Sequence, residues 1–251
     1  MNLGAAAGLI WPFALVLTRV SGLVVTVPFI GANVVPIRAR LALTLALSFA
    51  LTLATPYVAA PSAPIIALVG ELLLGAVAGL VVRVGVGALD LAGEILGLQA
   101  GFGFARIADP MLDSPSSIVG ETFGLLAGAV FFVIDGHQQV IRALAVSFRN
   151  IPAGTVQFEP GWVGLLMDRA ATMFGVGLRI AAPVGGTLLA TQLGFALLGR
   201  VAPQLNLWGL GFVLTIGITL VSLAIFAPTL AVEIPALLDS AIRDGALIFG
   251  R

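Results

Sequence analysis

The chain has 251 residues, 59% of them hydrophobic and only 10% charged, with 12 acidic residues balanced by 12 basic ones. A soluble domain carries about 25% charged residues, so this deficit and a mean hydropathy of +1.13 exclude a soluble globular protein. Every cation is Arg and there is no Cys, which excludes disulfides and thiolate metal sites, and no basic patch suits nucleic acid. The period-two alternation of a transmembrane barrel is absent. The prediction is an all-α membrane protein of about six long hydrophobic helices.

The amino terminus lacks the basic region of a cleaved signal peptide, so the first apolar segment, about Gly8 to Ile30, counts as part of the fold. It contains Arg19, and an arginine at the centre of a span costs roughly 2.5–3.5 kcal/mol on insertion scales. Arg19 therefore reads either as a cavity or intersubunit residue or as a side chain snorkelling to an interface. Pro28, Gly31 and Pro36 end this segment ahead of Arg38 and Arg40. A second, uncharged segment runs from Leu41 to Val58, followed by a turn at Pro56, Pro61 and Pro64.

The third segment organises the rest. Glu71, Gly75, Gly79, Arg83, Gly87, Asp90, Glu94, Gly97 and Gly101 recur at steps of three or four residues, about 3.75 on average, close to the helical period. They form one slowly winding face opposite Leu, Val and Ile. A glycine at every fourth place lets another helix approach closely, the usual means of association where lipid supplies no hydrophobic drive. Asp90 and Glu94 repel at i,i+4, and Arg83 lies too far from Asp90 for direct pairing. The stripe is thus expected to find its partners on other helices, in a watery cavity or in another subunit.

A polar connector from Arg106 to Ser117 holds Asp109, Pro110, Asp113 and Pro115. Ser117 is a candidate N-cap for the apolar run Ile118 to Ile134, although Glu121 is one place beyond capping-box spacing. The chain turns at Asp135-Gly136-His137, and the stretch through Arg142 and Arg149 to Pro152 is amphipathic rather than spanning. Leu165 to Leu198 is too long for one simple span, so a kink or break is expected at Pro183 to Gly186. A polar turn, Arg200 to Asn206, precedes an uncharged run to Val232 and a short amphipathic tail, Glu233 to Arg251. With six spans, the positive-inside count ties: Arg38, Arg40, Arg106 and Arg200 against Arg142, Arg149, Arg243 and Arg251.

Catalysis requires a nucleophile, acid–base partners and a stabiliser within reach. The single histidine, His137, sits in a turn where packing or capping is the better reading. No metalloprotease, hydrolase or phosphate-loop motif occurs, and Gly101-Phe-Gly103 lacks the strand and third glycine of a dinucleotide fingerprint. Asp109 and Asp113, flanked by prolines, are a weak cation site. The expectation is no enzyme, no cofactor and no metal. Two classes stay open: an autonomous small-solute or proton transporter using Glu71, Asp90 and Glu94, and a conduit subunit whose glycine-rich helices pack against partner chains.

Four stretches taken together resemble the FliR/SctT family of type III secretion export-gate subunits. They are Ala92-Gly-Glu-Ile-Leu-Gly-Leu-Gln-Ala-Gly101 with Gly103-Phe-Ala-Arg-Ile-Ala-Asp-Pro110; Asp135-Gly-His137; Ser147-Phe148 with Ile151-Pro152; and Gly199-Arg-Val-Ala-Pro-Gln-Leu-Asn206. The residue before Gly136 is Asp where the family often has Asn or Gly. The resemblance implies a FliP-like front, 1–161, and a FliQ-like helical hairpin with the tail, 162–251. It implies a noncatalytic gate subunit partnered by FliP, FliQ, FlhB and FlhA in the bacterial inner membrane, passing unfolded export substrates for flagellum assembly or, alternatively, for an injectisome. It also implies a plug at 101–117, formed by Gly101, Phe102, Gly103, Phe104, Arg106, Ile107, Asp109, Pro110 and Met111. The stripe from Glu71 to Gly97 becomes an intersubunit packing face, and Arg200, Pro203, Gln204 and Asn206 the hairpin turn.

Overall fold

The computed structural model describes residues 3–31, 35–55, 61–102, 117–201 and 207–250. Among these residues there are seven α-helices and no strand: α1 Leu3–Thr26, α2 Ile37–Ala54, α3 Pro64–Gln99, α4 Ile118–Val133, α5 Gly136–Asn150, α6 Pro160–Val201 and α7 Leu207–Leu247. Four of them (α2, α3, α6 and α7) are long and apolar enough to cross a membrane, or five spans if α4 and α5 together form one broken span. With the shorter apolar stretch Ile10–Thr26 of α1 beside them, these leave the count of six, and the arginine tie drawn from it, unconfirmed among the described residues.

The differences trace to proline. Pro64 stands at the first position of α3, where its missing N–H has no intrahelical partner to lose and its fixed φ suits the helix. Pro183 lies inside α6, and Pro228 and Pro235 inside α7, yet both helices continue, through 42 and 41 residues. Of the kink or break expected at Pro183 to Gly186, the break is absent, and the tail from Glu233 is the end of α7 instead of a separate element. Membrane helices tolerate an interior proline because neighbouring hydroxyls and adjusted turns satisfy the freed carbonyls. At ~1.5 Å per residue, α6 and α7 would each be about 60 Å long, twice the ~30 Å hydrocarbon core.

The chain divides into two compact units, with the division falling within α3, α4, α6 and α7. In the first unit (1–86, 131–170, 238–251), the core joins Leu15, Val16 and Val20 of α1, Leu74 and Ala78 of α3, Leu144 of α5 and Leu238 of α7. Gly22 of α1 and Gly75 of α3 let backbones meet: a Cβ on Gly75 would collide with Arg19 O, and one on Gly22 with Leu72 O. A second small-residue crossing places Gly245 of α7 where a Cβ would meet Ala78 O at 2.9 Å. The second unit (87–130, 171–237) repeats the device. A Cβ on Gly93 of α3 would stand 2.7 Å from Gly120 Cα of α4, and one on Gly177 of α6 2.9 Å from Ala88 O of α3.

On α2 and α7 burial is inverted relative to a soluble protein. On α2 the buried residues are Thr44, Ser48 and Thr52, whose hydroxyls donate to carbonyls one turn back, while Leu45, Phe49 and Leu53 are exposed. On α7 Thr215, Thr219 and Ser222 are buried while Val213, Leu220, Val221 and Ile225 face outward. Small hydroxylated residues toward neighbouring helices and large apolar ones outward is the arrangement that suits a lipid or protein environment in place of water.

Candidate functional site

The most polar buried place in the first unit is centred on Arg19, in α1, and Glu71, in α3, both 0% exposed. Arg19 Nε donates to Glu71 Oε2 at 2.5 Å, Nη1 to Ser147 Oγ at 3.0 Å and Nη2 to Ile151 O at 3.0 Å. The guanidinium also lies 4.1 Å from the ring centroid of Phe148, a cation–π contact that gains strength when desolvated. The other carboxylate oxygen, Glu71 Oε1, accepts the Gly154 N–H at 2.7 Å. Gly154 has φ +83°, a left-handed conformation that glycine adopts at no steric cost. It sits in a turn closed by Thr155 N–H to Pro152 O at 3.2 Å. Ser147 passes its own proton to Leu144 O. A buried ion pair is tolerable only when the remaining donors and acceptors are also met, and here α1, α3, α5 and the turn after α5 jointly meet them.

The second place is the junction of α3 with α4. The end of α3 is a Schellman cap: Gly101 has φ +89°, its N–H meets Leu98 O at 3.2 Å, and the Phe102 N–H reaches Gly97 O at 3.1 Å. At the start of α4, Ser117 is the N-cap, its Oγ accepting the Gly120 N–H at 3.0 Å. A capping box would return a Glu side chain from the third helical position to the N-cap N–H; that position is Gly120. The carboxylate instead comes from the facing helix, Glu94 Oε1 accepting the Ser117 N–H at 2.7 Å. Glycines make room for it. A Cβ on Gly120 would stand 2.7 Å from Glu94 Oε1, and one on Gly97 would collide with Ser117 Oγ. Nearby, Gln99 O accepts from Gln192 Nε2 of α6 at 2.9 Å.

The remaining predicted residues are spread along these elements. Gly75 and Gly79 are buried against α1, Gly87 is half-buried with Met173 Sδ 3.0 Å from where its Cβ would stand, and Arg83 and Asp90 are exposed. Glu71, expected to find its partner on another helix, in a watery cavity or in another subunit, meets Arg19 on α1 of its own chain. Of the plug residues, Gly101 and Phe102 close α3, and Gly103, Phe104, Arg106, Ile107, Asp109, Pro110 and Met111 lie outside the described residues, as do Pro203, Gln204 and Asn206. Arg200 is exposed near the end of α6. His137 packs on Phe132, ring centroids 5.5 Å apart. Asp135 has φ +56°, a region where Asn, Asp and Gly are enriched, which gives Asn or Gly in its place a physical reason. The residues that went unread were the acceptors of Arg19 and the donor to Glu94; Ser147 and Ile151 were flagged only as part of a motif.

A family model described as "Bacterial export proteins, family 1" matches residues 10–241. The chain is 31% identical over 224 residues to the flagellar biosynthetic protein FliR of Escherichia coli (strain K12), covering 88% of this chain and 84% of that one. It is 30% identical over 232 residues to the protein of the same name from Caulobacter vibrioides, covering 90% and 92%. Yop proteins translocation protein T of Yersinia pestis is 28% identical over 160 residues, covering 62% of this chain and 60% of that protein. With most of its length matched, including both polar junctions, the chain belongs to the bacterial export protein family 1, the family of FliR.

Proposed function

We propose that the chain is a noncatalytic integral-membrane subunit of the flagellar type III protein export gate, helping to form the conduit for unfolded substrates during flagellum assembly. The observation that carries this reading is the inverted burial. The Arg19–Glu71 ion pair and several hydroxyls are inside, and α2, α6 and α7 turn Phe49, Leu53, Leu193, Leu197, Val213 and Ile225 outward. Such faces need lipid or protein cover, and a conduit built from several chains supplies both. Flagellar names on the relatives with the fullest coverage favour the flagellar apparatus; the Yersinia relative supports the injectisome alternative over a shorter match.

In this reading residues 1–161 act as a FliP-like region and 162–251 as a FliQ-like hairpin, within the bacterial inner membrane. The partners are FliP, FliQ, FlhB and FlhA. The stripe residues left exposed, Arg83 and Asp90, and the outer faces of α6 and α7 meet those chains. The segment 101–117, held at its two ends by the Schellman cap and by Glu94, acts as a plug whose Phe102, Phe104, Ile107 and Met111 exclude water from a constriction.

Deletion of the gene in its host, followed by complementation and affinity purification of the tagged chain, tests the proposal. The expected result is loss of flagella, restored by the full chain, and recovery of FliP- and FliQ-type subunits with it. A chain that purifies without them and moves a small solute by itself in liposomes would overturn the reading in favour of a transporter.

A further inference from the structure

In the first unit an apolar groove of about 320 Å³ lies between the last turn of α2 and the outer side of α5. Leu51 and Ala54 form one wall; Ala145 and Val146, with Arg142 and Arg149, form the other. These four α5 residues fall at i, i+3, i+4 and i+7, so they make one stripe along the helix. Both arginines are exposed, and neither has an acidic partner among the described residues; Arg142 has only a long contact to Gln138 Oε1 at 3.5 Å. Two unpaired cations bordering an otherwise apolar slot call for an occupant with an anionic end and an apolar body.

Depth narrows the choice. The 18 residues of α2 would extend about 27 Å, close to the ~30 Å hydrocarbon core. Its exposed face is apolar from Leu41 through Phe49 to Leu53, with its arginines confined to the first turn. If α2 crosses the bilayer, its last turn, and therefore the groove, lies at the level of the lipid phosphates. Arginines held there attract anionic lipid, and the apolar slot beside them is walled by Leu51 and Ala54 of the last turn of α2. An acidic partner helix would meet the charges but has no corresponding reason to stand at headgroup depth.

We infer that this groove is a binding site for an anionic phospholipid, with the phosphate on Arg142 and Arg149 and an acyl chain along Leu51, Ala54, Ala145 and Val146. The inference rests on the membrane reading for the depth of α2 and not on the identity of the export apparatus.

The test is native mass spectrometry of the full chain in detergent, titrated in parallel with phosphatidylglycerol, phosphatidylcholine and inorganic phosphate. The wild type should retain phosphatidylglycerol at least tenfold better than phosphatidylcholine and show no saturable retention of inorganic phosphate. The double variant Arg142→Gln/Arg149→Gln should lose that preference. Ala145→Trp, which fills the slot and leaves both charges, should lower phosphatidylglycerol retention several-fold, with unchanged helical content in both variants. Equal retention of the two lipids, a preference that survives the double variant, or saturable phosphate binding unaffected by Ala145→Trp would each overturn the site. Copurification with gate subunits is scored on the same variants. A chain that assembles normally but shows no lipid preference defeats this inference alone, and one that never assembles defeats the gate reading.

Discussion

Breaking the Arg19–Glu71 pair from one side should cost far more than removing it altogether. Arg19→Met leaves the Glu71 carboxylate buried with a single donor, the Gly154 N–H, and takes a donor from Ile151 O. Glu71→Leu leaves a buried guanidinium with Ser147 Oγ and Ile151 O but no anion, and orphans the Gly154 N–H. Truncating one partner of a buried pair costs about 3–5 kcal/mol, so the two single losses would add to roughly 6–10 kcal/mol if they were independent. In the double variant the charges are gone. Ser147 still donates to Leu144 O, and only Ile151 O and Gly154 N–H are left unmet, at about 1–3 kcal/mol each. Its total loss should therefore be roughly 2–6 kcal/mol, and the cycle should return a coupling of about 4 kcal/mol, the difference between the midpoints of the two ranges.

The assay is reversible unfolding of the purified chain in mixed micelles, followed by helical signal, for the wild type, both single variants and the double. If Arg19 instead met an anion on another chain, the isolated protein would show near-additive losses, with a coupling below about 0.5 kcal/mol. That outcome would refute the closed network and restore the intersubunit reading of Arg19.

Glu94→Ala should expose the first turn of α4 to amide hydrogen exchange, at a cost of about 1–2 kcal/mol, while Glu94→Gln, which keeps an acceptor for the Ser117 N–H, should cost roughly half as much; equal exchange in the two variants would refute the cap. Gly75→Ala should destabilise by about 1–3 kcal/mol because the new Cβ meets the Arg19 carbonyl, whereas Gly175→Ala, with nothing within 4 Å, should be neutral or stabilising by up to about 1 kcal/mol. A thermal series that ranks the two glycines alike would show that the α1–α3 approach is not tight. Deleting Ile107 to Pro115 should raise ion leakage through the assembled gate, read as conductance in planar bilayers, and unchanged conductance with normal assembly would count against the plug.

The helical identity of the chain and the packing role of its third segment were legible because both are local. Hydropathy and a step of three to four residues need no knowledge of the partner, and at Gly75, Gly79, Gly87 and Gly97 of the stripe an added Cβ would meet neighbouring atoms at close range. The helix ends were less legible. Pro183 reads as a kink or break by the rule for water-exposed helices, where a freed carbonyl has no compensation, but α6 continues through it, as α7 does through Pro228 and Pro235. Least legible was charge pairing. Glu71 finds its counter-ion 52 positions upstream on another helix, and Glu94, which repels Asp90 on its own helix, finds its donor in the backbone of Ser117. No periodicity encodes a contact between elements separated by a whole helix.

That failure has a physical direction. In a chain so poor in charge, each buried ionic group must be met by whatever fold is available, so the ions constrain the tertiary arrangement more than the many interchangeable Leu and Val do. Arg19 fixes α1 against α3, α5 and the turn at Gly154, since any slide of one helical turn (about 5.4 Å) would carry the guanidinium out of reach of Glu71. Glu94 likewise fixes where α4 begins relative to α3. The apolar surfaces impose no such register, because lipid or another apolar helix satisfies them equally well. A subunit built this way has its internal geometry set by a few polar contacts and keeps an outer surface free to be covered by several different neighbours, which is what membership of a multichain membrane conduit requires.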